Sequence, residues 1–226
     1  MKARLLFAAT LSALLALTAR AEALTREQRD ALTPDEVITE MKEGNARFRR
    51  GERKERNFLA EQKASAKGQF PAAVILSCID SRTPAEVIMD LGIGETFNAR
   101  IAGNVVNDDI IGSLEFSCAV SGAKVVLVLG HTACGAIKGA IDHVQLGSLT
   151  GLLDKVQPAI AATKYDGEHS SKNYSYVNAV GRKNVELAVA DIRKRSALLR
   201  DLEAAGKIKI VGAVYDLDTA VVEFLP

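Results

Sequence analysis

Tryptophan is absent, aromatic residues make up only 5% of the 226-residue chain, and there are just three cysteines and three histidines. Each scarcity narrows the reading. Lysine plus arginine (29) and aspartate plus glutamate (28) nearly cancel to a formal charge of +1, and long runs of like charge are missing. The electrostatic footprint of a nucleic-acid binder is therefore lacking. Three cysteines cannot all pair with one another. Beyond the amino terminus, no apolar run reaches the roughly 20 residues that a membrane-spanning helix needs. What is present, 48% hydrophobic and 25% charged residues, is ordinary for one globular domain and neither disordered nor fibrous.

The amino terminus is the exception to the scarcity of apolar runs. "MKAR" gives a short basic start, "LLFAATLSALLAL" an uninterrupted apolar stretch, and "TARA" follows it with small residues at Ala19 and Ala21. This pattern predicts a secretory signal peptide over residues 1–21, cut after Ala21, and a single domain over residues 22–226. The chain is thus expected to be exported, in the periplasm, and free of the membrane after cleavage. In an oxidising compartment two readings of the cysteines stay open. Cys78 and Cys134 form a disulfide with Cys118 left over, or two of the three are held as thiolates by a metal.

Along the rest of the chain, "TPDEVITEMKEGNARFRRG" predicts an amphipathic helix, with Thr33 as cap, Pro34 at the first helical position and Gly51 past the end. Four short apolar runs, "PAAVILSC", "ETFNARIA", "AKVVLVLGH" and "KIKIVGAVYD", predict buried strands, and "TAVVEFLP" an edge strand. Helical stretches fall between them at 84–91, 108–121, 135–143, 149–163 and 177–205. The polar stretch "KYDGEHSSKNYSY" reads as an exposed loop. This alternation predicts an α/β fold: a mostly parallel central sheet flanked by helices, without internal repeats or a second-domain boundary.

In such a sheet, ligands gather beyond the carboxyl ends of the strands. Cys78, in "SCIDSRTP", ends one predicted strand. His131 and Cys134, in "GHTACG", sit past the end of another, between Gly130 and Gly135, which let the chain turn sharply. Two cysteines and a histidine suit tetrahedral Zn²⁺, and three protein ligands leave the fourth position open, as a catalytic zinc requires. Other candidates read more plainly. Cys118 is a core thiol on a helix, His143 and His169 are surface residues, and Ser81 and Thr83 cap a helix or brace the loop around Asp80. Gly135 starts a helix, and its N–H either binds an anionic product or only shapes the turn.

"CIDSR" and "HTACG" occur once each, and together they resemble the signature blocks of the β-class carbonic anhydrases; "ARIAGNVV", around Arg100 and Gly103, is similar to the segment between them. The resemblance runs from about Pro34 to the end. It implies Zn²⁺ held by Cys78, His131 and Cys134, an Asp80–Arg82 pair beside it, and reversible hydration of carbon dioxide to bicarbonate and a proton. Two thiolates and a neutral imidazole leave the ion formally neutral. Its pull on water is then weaker than in a three-histidine site, where the water pKa is about 7, so activity is expected above neutrality. Asp80 accepts a hydrogen bond from the reacting water and aims its oxygen at carbon, while Arg82 keeps Asp80 ionised.

The family also implies variations. In one subset the equivalent of Asp80 moves onto zinc and closes the site at low pH. In some members a tryptophan near the first cysteine helps form an inhibitory bicarbonate site. Here Ile75 stands three residues before Cys78, so that regulation is not expected, although Arg100 and Tyr215 match its other members. A homodimer or homotetramer is implied, with the helix over 34–50 lying on the partner, since it has little obvious core of its own to cover. Two other readings keep the same residues. One is a hydrolase of carbon disulfide or carbonyl sulfide. The other is a non-catalytic zinc or redox protein, closed by Asp80 or by a Cys78–Cys134 disulfide.

Overall fold

The computed structural model describes residues 23–226, and the predicted signal peptide over 1–21 lies outside them. The four expected strand runs form β1 (Ala73–Ser77), β2 (Thr96–Arg100), β3 (Val125–His131) and β4 (Lys209–Tyr215), and "TAVVEFLP" supplies β5 (Val222–Phe224); β2, expected buried, has no buried residue because it lies at an edge of the sheet. Their order is β2-β1-β3-β4-β5, the first four parallel and β5 antiparallel on the edge. The fold is the expected α/β one, a mostly parallel sheet flanked by helices. Every residue of β1 and β3 is buried. Strands covered on both faces read as continuous apolar runs, which is why these two are so visible in the sequence. The chain leaves β1 toward one side of the sheet and β3 toward the other, so the winding reverses between them. A crevice opens beyond the carboxyl ends of such a pair.

Three helices precede the sheet: α1 (Arg26–Ala31), α2 (Pro34–Arg50) and α3 (Phe58–Ser65). The short α1 and α3 were not expected; they start on the side-chain caps Thr25 and Asn57. α2 begins on Thr33, whose hydroxyl accepts the Glu36 N–H while Glu36 accepts the Thr33 N–H, and it ends at Gly51 with φ 72°. The expectation that α2 has little core of its own to cover is corrected by its contacts. Val37, Ile38 and Met41 are buried in one cluster with Ile75, Leu127 and Leu129 of the sheet. Each such burial contributes about 1.5–3 kcal/mol. Asn45, buried on the same helix, donates to the carbonyls of Ile88 and Ala220, both at 3.0 Å, and accepts from Val222 N–H at 3.0 Å. α2 is thereby tied to the turn after β1 at Ile88 and to the β5 edge of its own sheet.

The remaining helices are shorter or more broken than the sequence suggests. The helix over 84–91 is one turn, α4 (Ala85–Ile88), because buried Asp90 takes a left-handed φ of 51° and accepts the Arg47 Nε at 2.6 Å. The stretch over 108–121 is α5 (Asp108–Glu115) followed by a wide π-turn at Phe116–Val120. α6 (Gly135–Ile141) stops two residues early, before His143 with φ 52°. Residues 149–163 divide into α7 (Gly147–Leu153), a 3₁₀ turn and α8 (Gln157–Ala162), which carries Pro158 in its first turn. The last long stretch starts earlier, at Tyr174, and splits at Ser196 into α9 (Tyr174–Arg195) and α10 (Ala197–Ala204). Only part of "KYDGEHSSKNYSY" is therefore loop, and Tyr176 is buried. Among the described residues no helix is long and apolar enough to cross a membrane.

α9 and α10 cover the face of the sheet opposite α2, with Val185, Ile192 and Leu199 against Val74, Leu76, Val126 and Val128. A third cluster closes the carboxyl end of the sheet and contains Cys78, Cys134, Ile137, Val156, Tyr176 and Val180.

Candidate metal centre

β1 and β3 are hydrogen-bonded neighbours with Ser77 opposite Leu129, so Cys78, the first residue past β1, lies near His131, the last of β3. The turn after β3 brings Cys134 back to the same point. The Sγ atoms of Cys78 and Cys134 stand 4.0 Å apart, and the donor atoms of Cys78, His131 and Cys134 all lie within 4.8 Å of one another. All three residues are at most 4% exposed.

The separation decides between the two readings of the cysteines. A disulfide needs about 2.05 Å, whereas two thiolates on a tetrahedral zinc, each at about 2.3 Å, stand roughly 3.8 Å apart. His131 agrees. Its Nδ1 lies 2.9 Å from the Thr132 carbonyl oxygen, which can only accept, so Nδ1 carries the proton. Nε2 is then a bare lone pair, buried and without a hydrogen-bond partner among the described residues. A buried orphan acceptor beside two thiols is what a metal ligand set looks like without its ion. The residues therefore fit zinc.

The two thiols behave as one acid. Cys78 is pushed down to about 4, chiefly because Cys134 donates its S–H, with the Gly103 N–H (3.3 Å) adding to it. Cys134 is pushed up by the same shared proton and by burial. One thiolate forms readily, and a second is stable only with a cation beside it.

Asp80 and Arg82 sit at the rim. Arg82 grips the carboxylate with Nε on Oδ1 at 2.9 Å and Nη2 on Oδ2 at 2.8 Å, and its own N–H donates to Oδ1 at 3.0 Å. These bonds hold Asp80 well below the usual carboxylate range. Asp80 Oδ2 lies 3.8 Å from His131 Nε2, so the carboxylate borders the three donors while remaining paired with Arg82. Buried Thr83 braces this loop by donating to the Asp80 carbonyl at 3.0 Å. Arg100 reaches across from β2 to donate to the carbonyls of Cys78 (2.9 Å) and Asp80 (2.6 Å). Gly135 opens α6 directly after Cys134, with open space where a side chain would stand.

Ser81 is exposed and α4 has no side-chain cap, so Ser81 does not cap it as expected; Cys118, His143 and His169 lie where the sequence put them. Cys118 is a core thiol, pushed up to about 12 by burial. His143 and His169 are exposed, the latter stacked on Tyr176. Asn178 carries no sequence signal of its own. Asn178 touches the site through the Ala133 N–H, 45 residues away in the chain.

The carbonic anhydrase family profile matches residues 73–222, a span that contains every one of these groups. Carbonic anhydrase 2 of Mycobacterium tuberculosis is 35% identical over 184 residues, covering 79% of this chain and 86% of that protein. Among solved structures, the Coccomyxa β-carbonic anhydrase in complex with acetazolamide superposes with a TM-score of 0.65 at 23% identity, covering 84% of this chain and 82% of that one. A tetrameric β-carbonic anhydrase of Sordaria macrospora gives 0.63 at 23% identity, covering 71% and 83%. The chain belongs to the carbonic anhydrase family, and its fold is that of the β class.

Proposed function

We propose that this protein catalyses the zinc-dependent, reversible hydration of carbon dioxide to bicarbonate and a proton. The observation that carries the proposal is the buried Cys78–His131–Cys134 triangle with an ion-paired carboxylate at its edge. Cys78 Sγ, His131 Nε2 and Cys134 Sγ would hold the ion. When bound, zinc supplies the Lewis acidity that makes water a nucleophile, less strongly with two thiolates than with three histidines.

The chain's own residues do the rest. Asp80 Oδ2 accepts a hydrogen bond from the attacking water and turns its lone pair toward the carbon. Arg82 keeps that carboxylate ionised and fixed in angle. One C–O bond forms as a π bond of carbon dioxide breaks, and the water's second proton leaves for buffer, because a carboxylate as acidic as Asp80 does not keep a proton at neutral pH. We assign the Gly135 N–H to the bicarbonate product.

Three further proposals accompany this one. The segment over 1–21 supports export and action in the periplasm. Ile79, an apolar side chain 61% exposed between Cys78 and Asp80, supports a homodimer or homotetramer in which a second copy covers the mouth of the site. The Asp80–Arg82 pairing supports an open resting state, with Asp80 moving onto the ion only in a closed one.

Exchange of oxygen-18 between labelled carbon dioxide and water at chemical equilibrium tests the reaction, since label is lost only if hydration and dehydration both occur. Zinc-loaded protein should deplete the label far faster than buffer. Depletion at the buffer rate would reject the reading and favour the sulfur-containing substrates.

A further inference from the structure

Ala133, between His131 and Cys134, holds a left-handed φ of 54°. For a residue with a Cβ this costs about 1–2 kcal/mol, so something must hold the turn. Thr132 is tied to the strand edge, its N–H donating to the Tyr215 carbonyl and its hydroxyl accepting the Leu217 N–H, both at 2.9 Å. The peptide group joining Thr132 to Ala133 is held on both its faces. Its N–H donates to Asn178 Oδ1 at 2.8 Å, and its carbonyl accepts from His131 Nδ1 at 2.9 Å. The peptide is trans, so these two groups point in opposite directions, one toward α9 and one toward the imidazole.

We infer that Asn178 is a positioning residue for the metal centre: through the Thr132–Ala133 peptide it fixes the tautomer and ring angle of His131. The inference rests on the reading of His131 as a ligand. Alanine prefers negative φ, and rotating this one peptide plane would relieve the strain. That rotation would also swing the Thr132 carbonyl away from Nδ1. Asn178 Oδ1 is the acceptor that opposes it. The side chain comes from α9, whose flanking Val177 and Val180 are buried, so the acceptor is set by the packed helix rather than by the turn. A peptide that donates at one end accepts more strongly at the other. Asn178 thus plays, through a peptide, the part that a carboxylate or carbonyl usually plays directly behind a metal-bound histidine.

Three variants test this, each checked for a parental circular-dichroism spectrum. Asn178→Leu keeps the side-chain shape without the acceptor, Asn178→Asp keeps the acceptor, and Ala133→Gly removes the strain. Two readouts are used: zinc release to a chromophoric chelator, and nitrogen-15 NMR of the His131 ring in metal-free protein. Asn178→Leu should release zinc about 10-fold faster or more and lose the single Nδ1–H tautomer. Asn178→Asp should stay near the parent, and adding Ala133→Gly to Asn178→Leu should recover most of the loss. The inference is overturned if Asn178→Leu matches the parent in both readouts, or if Asn178→Asp is as impaired as Asn178→Leu. A parent that takes up no zinc would instead refute the metal-site reading, and the tautomer comparison would still decide the role of Asn178.

Discussion

Cys78 Sγ and Cys134 Sγ, 56 residues apart in the chain, stand 4.0 Å from each other because β1 and β3 are parallel neighbours that end side by side. That distance is too long for a disulfide and suits two ligands of one ion. The first prediction follows from it. Cys78→Ser and Cys134→Ser should each lower zinc content from about one per chain to a small fraction, measured by elemental analysis after dialysis. Stripping the parent with a chelator should abolish turnover, and adding zinc back should restore it. Parental zinc content in both variants would place the metal elsewhere.

Asp80 is predicted to act on the reaction and not on metal retention, since its oxygens are bonded to Arg82 and not among the three donors. Asp80→Asn should therefore cut kcat/KM by about 100-fold or more with zinc content unchanged. Arg82→Ala should fall between the parent and Asp80→Asn. Stopped-flow rates paired with metal analysis check this, and parental turnover in Asp80→Asn would remove the residue from the mechanism.

Gly44 faces α4 so closely that a Cβ there would stand 2.0 Å from the Met89 carbonyl oxygen. Gly44→Ala must push α2 away from the end of α4. A loss of about 2 kcal/mol or more in denaturant unfolding is expected, with activity per bound zinc retained in the folded fraction. An unchanged midpoint would show that α2 is not seated as described.

Cys118 links stability to pH. Burial raises its thiol from 9.0 to about 12, so the folded chain holds this proton more tightly than the unfolded one. The contribution is complete below about pH 8 and is lost as pH rises from there toward 12. Between pH 8 and 10 the parent should lose about 1.4 kcal/mol more than Cys118→Ala, whose side chain does not ionise. Equal losses in the two proteins would contradict the assignment.

The sheet was legible because its central strands are buried on both faces and so appear as unbroken apolar runs. The ligand triangle was legible because cysteine and histidine, three of each, are rare enough here for their spacing to carry meaning. Helix lengths were not, since they are set by local events that periodicity does not encode: the left-handed Asp90, the π-turn after Glu115, and the cap at Ser196. α2 was misjudged for a different reason. Its apolar stripe is evident in the sequence, but which surface it covers depends on how Gly44 and Asn45 meet α4 and β5. Asn178 was invisible because an ordinary asparagine in a helix gains its role only from the packing of α9 beside β3.

Stopped-flow hydration of carbon dioxide as a function of pH, on the chain from Glu22 with one zinc verified per protein, tests the central claim most directly. Turnover should rise through a midpoint above neutrality, as expected of a two-thiolate, one-imidazole site. Fully zinc-loaded protein with no turnover between about pH 6 and 9 would contradict the account.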